Sequence, residues 1–114
     1  MLLIQQEYQS SFDTAMHCAV ECEHCAKACM GHPDMVKCAQ MCLDCAEVCQ
    51  TLATYMVRGS YFISHLARAC ADICEACAKE CQKYNLEHCQ KCARVCQQAA
   101  EEYRKIASIR TTKV

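Results

Sequence analysis

Cys18-Ala19-Val20-Glu21-Cys22-Glu23-His24-Cys25-Ala26-Lys27-Ala28-Cys29 decides how this chain folds, and its spacing returns as Cys38-Ala39-Gln40-Met41-Cys42-Leu43-Asp44-Cys45-Ala46-Glu47-Val48-Cys49. The gaps between cysteines are three, two and three residues in both stretches, and again in Cys70, Cys74, Cys77 and Cys81. A shortened copy, Cys89, Cys92 and Cys96, follows. At about 100° per residue, positions spaced this way fall in one narrow stripe along an α-helix. The thiols follow helical period, not the geometry of loop knuckles.

Between the stripes stand turn signals. Ser10 with Asp13 resembles a capping box, which predicts a first long helix from near Ser11 to about Met30. Gly31 suits a C-terminal cap and Pro33 the first turn of a second helix, expected to reach Val57. Arg58-Gly59-Ser60 is the next turn, a third helix runs from Ser60 or Tyr61 to about Lys83, and Asn85 is placed to cap a fourth, Leu86 to Ser108. Residues 1–9 read as a short N-terminal helix and 109–114 as a polar tail. Short connections make sequential helices antiparallel. The expected fold is therefore all-α, an antiparallel up-down-up-down four-helix bundle with a cysteine-lined core, one domain over residues 1–114.

The cysteine numbers test that topology. In an antiparallel pair, residues at one height have numbers that add to a constant, and the cysteines of helices one and two, and of two and three, do so at every position. Those of helices three and four agree to within one. The thiols thus stack in layers: Cys29, Cys38, Cys81 and Cys89; Cys25, Cys42, Cys77 and Cys92; Cys22, Cys45, Cys74 and Cys96; then Cys18, Cys49 and Cys70, where the fourth place falls at Ala99 or Ala100.

Composition narrows the function. Lys+Arg 12 against Asp+Glu 13 leaves a formal charge of -1 and no basic block to follow a phosphate backbone, so nucleic acid is not an expected partner. No apolar run approaches the ~20 residues of a membrane span. Fifteen cysteines in 114 residues would suit a secreted disulfide scaffold, but the count is odd, the opening Met1-Leu2-Leu3-Ile4 lacks a basic n-region and a long apolar h-region, and turn residues are few. A reducing, cytoplasmic setting with thiolates kept for metal is the expectation.

Filling a core alone does not require this many cysteines, since Leu, Ile and Val pack better and do not oxidise. A redox Cys-x-x-Cys needs one exposed pair at a helix start, whereas Cys22/Cys25, Cys42/Cys45, Cys74/Cys77 and Cys89/Cys92 lie inside helices that face one another. The acidic and basic residues form no inward pair for acid/base chemistry, so an enzyme is not expected. Zinc would take four thiolates in a tetrahedron. Cuprous copper is softer, is selected by thiolates, and accepts two or three sulfurs that neighbouring ions can share. A metallothionein-like zinc or cadmium buffer is the alternative, and a thiol redox protein the second.

Four helices lined by inward Cys-x3-Cys-x2-Cys-x3-Cys stripes resemble the bacterial copper storage proteins, and most closely their cytosolic class. The resemblance implies that multiple Cu(I) ions are held per chain, that all the cysteines from Cys18 to Cys96 are ligands, and that bundles assemble as homotetramers. Thr14, Leu52, Met56, Ile63, Leu66 and Tyr103 continue the stripes at one end and should plug it. His32, Met35, Asn85 and His88 sit at the other, the expected mouth, with His32, Met35 and His88 as auxiliary ligands. His17 and His24 lie on a lateral face of the first helix and His65 points away from the stripe, and all three are expected at the surface or an interface.

Overall fold

In the computed structural model, which describes residues 6–109, four α-helices follow one another: α1 (Gln6–Cys29), α2 (Val36–Arg58), α3 (Ile63–Gln82) and α4 (Glu87–Ile109). Two of the three turns rest on the chain's two glycines. Gly31 takes a φ of 91° and Gly59 one of 63°. A β-carbon disfavours this left-handed region by about 1–2 kcal/mol. The Gly59 N–H bonds to the Met56 carbonyl at 3.2 Å and the Ser60 N–H to that of Tyr55 at 3.0 Å, which satisfies the last carbonyls of α2.

Helix starts depart from expectation in all four helices, α3 by beginning at Ile63 instead of Ser60 or Tyr61. α1 begins at Gln6, so Ser10 lies within the helix and Gln6 to Gln9 belong to the first helix instead of a separate one. Asp13 accepts a bond from Gln9 Nε2 at 3.1 Å, and Ser11 is buried with its hydroxyl donating to Glu102 Oε2 at 2.8 Å. Ser10, which local pattern assigns to a helix end, is exposed inside α1, and its neighbour Ser11 makes the tertiary contact with α4. The part of the short N-terminal helix over residues 1–5, and the tail over 110–114, lie outside the described residues. Pro33 opens a 3-10 turn, Pro33–Met35, and α2 proper starts at Val36. At α4 the first helical bond runs from the Gln90 N–H to the Leu86 carbonyl at 2.9 Å, which puts Leu86, not Asn85, in the capping position.

Each helix packs on two neighbours, α1 on α2 and α4, α3 on α2 and α4, so the four close into a ring. Alanine makes the ring tight. Ala19, Ala26, Ala39, Ala46, Ala71, Ala78 and Ala93, each following a cysteine, are all buried along the seams. A methyl there lets helix backbones approach closely enough for sulfurs of different helices to touch.

One end of the ring is plugged as expected: Leu52, Met56, Ile63 and Tyr103 are buried, joined by Tyr8 and Ile106, while Thr14 and Leu66 are only half-buried. The other end is tied by Glu80, the only charged side chain in the buried class among the described residues. Lys83 Nζ stands 3.0 Å and Lys37 Nζ 3.7 Å from its Oε1, and the Tyr84 hydroxyl donates to Oε2 at 2.9 Å. Burial opposes its charge, but the Lys83 and Tyr84 bonds outweigh that and hold its carboxyl below the usual range.

Candidate metal centre

All fifteen cysteines are free thiols and none is more than 1% exposed. The helical stripes aim them at the bundle axis, where sulfurs of different helices come within contact. Cys29 meets Cys38 at 3.9 Å and Cys38 meets Cys81 at 3.7 Å. Cys42 meets Cys77 at 3.8 Å and Cys92 at 3.9 Å, Cys22 meets Cys96 at 3.4 Å, and Cys45 meets Cys74 at 3.4 Å. These are the layers that the antiparallel register implies.

Layers are not the closest groupings, however. Five sets of four ligand atoms lie within 4.8 Å of one another: Cys18, Cys45, Cys49 and Cys74; Cys18, Cys22, Cys45 and Cys96; Cys22, Cys77, Cys92 and Cys96; Cys25, Cys42, Cys81 and Cys92; and Cys25, Cys29, Cys89 with His88. Each set draws on two adjacent layers, because the stagger between helices brings a sulfur level with the gap between two others. Six sulfurs, those of Cys18, Cys22, Cys25, Cys45, Cys92 and Cys96, belong to two sets each. The five sets are thereby joined end to end along the bundle.

Two cysteines stand outside these sets. Cys38 lies 3.9 Å from Cys29 and 3.7 Å from Cys81. Cys70, expected beside Cys18 and Cys49, turns its thiol to the Val48 carbonyl at 3.5 Å. The place near Ala99 and Ala100 is filled from one turn further along α4, where the Tyr103 hydroxyl donates to Cys49 Sγ at 3.1 Å. Sequence reading found Tyr103 as a plug but not as a polar partner of the sulfur chain, since nothing in helical period tells which way a hydroxyl tip reaches.

At the opposite end the predicted ligands separate. His88 is half-buried with Nδ1 at 3.5 Å from both Cys25 and Cys89. Met35 is buried at the turn, 3% exposed. His32 is exposed and belongs to none of the sets, as is the case for His17, His24 and His65.

Burial governs the thiols that have few sulfur neighbours. It pushes Cys70 and Cys89 up to about 12 and raises Cys29 and Cys38 in the same direction, because a thiolate in a dry core has lost its water. Where sulfurs crowd, one can carry charge at the expense of its neighbours: Cys25 is drawn down to about 6, chiefly by hydrogen bonding from Cys42 with His88 contributing. The Tyr103 hydroxyl is pushed up, first by its burial.

This core has no buried cation to balance thiolates, since Lys37 and Lys83 stay 70% and 62% exposed and no Lys or Arg is buried among the described residues. Charge therefore limits what it can hold. Fifteen thiolates filled by about four tetrahedral zinc ions would leave roughly seven uncompensated negative charges in low dielectric. Exchange of one thiol proton for one monovalent soft cation leaves the core as neutral as before. Sulfur separations of 3.4–3.9 Å match the edge of about 3.8 Å set by 2.3 Å metal–sulfur bonds in a tetrahedron, and nearly that of a trigonal site, so charge and softness discriminate where distance does not.

Comparison with known proteins agrees with that chemistry. A "Cysteine-rich protein YhjQ" of Bacillus subtilis (strain 168), described as uncharacterised, is 32% identical over 108 residues, covering 92% of this chain and 100% of its own. Among solved structures, apo-Csp3 (copper storage protein 3) from Bacillus subtilis superposes with a TM-score of 0.85 at 32% identity, covering 89% of this chain and 99% of that one. Cu(I)-bound copper storage protein BsCsp3 superposes at 0.87 and 32% identity, covering 90% and 100%. A protein from Nitrosospira multiformis gives 0.78 at 34% identity, covering 92% and 98%. The profile of the copper storage proteins (Csp) matches residues 4–108. With a core of shared thiols and a match along nearly its whole length, this chain belongs to the copper storage protein family.

Proposed function

We propose that the protein stores Cu(I) in the cytoplasm, holding many ions per chain in its single bundle domain without turnover. The observation that carries this reading is the connected set of buried thiols with no buried cation among the described residues, where proton-for-Cu(I) exchange is the electroneutral way to fill it. The ligands would be the fifteen cysteines, with His88 as the auxiliary ligand at the end away from Tyr103; Cys38 and Cys70 would join by a turn about χ1. A reducing compartment suits fifteen free thiols, which would otherwise cross-link. The homotetramer is carried over from the resemblance, and exposed Leu43 and Val57 on α2 and Tyr61 and Phe62 before α3 offer apolar surface for it.

X-ray absorption at the copper edge of the loaded protein tests the coordination. The expected result is Cu(I) with two or three sulfur neighbours throughout. A shell dominated by nitrogen and oxygen, or uniformly four sulfurs, would contradict the reading and favour the zinc buffer instead.

A further inference from the structure

We propose that Cu(I) enters the thiol core sideways, through the seam between α1 and α4, with His24 and then His88 as successive ligands on the way in. The proposal rests on the storage reading above.

Every thiol in the chain of five sets is closed to solvent, and His88 is the one ligand among them that is half-exposed. Its Nδ1 faces Cys25 and Cys89 inside the bundle. The same side chain forms part of the wall of a surface groove with Val20, Glu21, His24, Glu87 and Lys91. The ring thus stands between solvent and sulfur at a lateral opening. The turn tips at the end of the axis are less suited to entry: Met35 is buried there, and His32 does not line the groove that His88 shares.

The groove is chemically graded. Lys91 Nζ is engaged by Glu21 at 3.3 Å, whereas Glu87 forms no ion pair among the described residues, so the opening favours a cation. An exposed imidazole comes first at His24, then an imidazole beside two thiols at His88, then sets made of thiols only. Imidazole binds copper, but thiolate is the softer ligand and holds Cu(I) more firmly, so each step inward is downhill. In the transfer the Cu–N bond to His24 breaks as one to His88 forms. That bond then gives way to a Cu–S bond at Cys25 or Cys89, with one thiol proton released for the one ion taken up, and both imidazoles, neutral throughout, are left free.

Stopped-flow loading tests the route, with reduced apoprotein mixed anaerobically with the acetonitrile complex of Cu(I) and the final ions per chain counted. His24→Ala is expected to load about tenfold more slowly, the lower end of what a ligand- and charge-lined cleft adds to an association rate. Its final ion count should equal the parent's, and His24→Met, which restores a soft donor, should recover the rate. His65→Ala, exposed on α3, serves as the control at parental rate. Loading of His24→Ala at the parental rate, or slowing by His32→Ala equal to that by His24→Ala, overturns the lateral port while the storage reading stands. A parent protein that saturates at a few ions overturns the storage reading and the port with it.

Discussion

Replacing Cys96 with serine is expected to remove at least two Cu(I) ions from the loaded protein, whereas replacing Cys70 with serine removes none or one. The difference follows from sharing. Cys96 Sγ lies 3.4 Å from Cys22 and 3.9 Å from each of Cys18, Cys45 and Cys92, and it belongs to two of the five ligand sets. Cys70 belongs to none and donates to the Val48 carbonyl. A serine hydroxyl is a hard oxygen donor and a poor ligand for Cu(I), so it deletes a ligand while nearly keeping the side chain's size. Elemental analysis of anaerobically loaded variants, with circular dichroism to confirm the helices, gives the counts. Equal losses for the two variants would mean that the thiols bind as independent beads and that the shared sets have no meaning.

The apoprotein is expected to lose stability as pH rises through the window from 9 to 12. Cys70 and Cys89 would release their protons near the ordinary value of 9.0 in the unfolded chain, yet burial keeps them protonated in the fold up to about 12. Between those values the unfolded state binds fewer protons, so unfolding becomes easier as pH increases. The contribution is fully present below 9.0 and gone above about 12. Each such thiol costs about 1.4 kcal/mol per pH unit, and a domain holds only about 5–15 kcal/mol in all. Cys25, held at about 6, is already deprotonated in the fold, and once pH has passed the ordinary value of 9.0 it is so in the unfolded chain too and adds nothing to the slope. Melting curves of reduced apoprotein from pH 8 upward check the expectation, with loading by Cu(I) restoring the alkaline stability because ligated sulfurs no longer titrate. A melting temperature that does not move with pH would contradict it.

Periodicity made the walls of the tube legible before any coordinates, because helical spacing fixes which face a cysteine occupies and antiparallel register fixes its height. It could not fix the direction of a sulfur. Cys70 sits on the stripe and at the right height, yet its thiol serves a backbone carbonyl, a choice of χ1 that depends on the neighbouring helix. The grouping of sulfurs across layers has the same origin, in staggers of a few ångströms that a count of residues does not resolve. Ser10 misled because capping signals are local while Ser11 and Glu102 meet from opposite ends of the sequence. The tie made by Glu80 with Lys37, Lys83 and Tyr84 was invisible for the same reason: its members come from two turns that only the closed ring brings together. His88 was recognised from its position beside the stripe, but the groove it shares with His24 appears only once α1 and α4 are side by side.

The central claim is that the core exchanges thiol protons for soft monovalent ions one for one. An anaerobic titration of the reduced protein with Cu(I), and separately with Zn(II), against a competing chelator and with thiols counted, tests it most directly. The account predicts tight Cu(I) uptake approaching one ion per cysteine, of which there are fifteen, with weaker binding of zinc. Saturation at about four ions with zinc preferred, the number that tetrahedral four-thiolate sites allow, would contradict it.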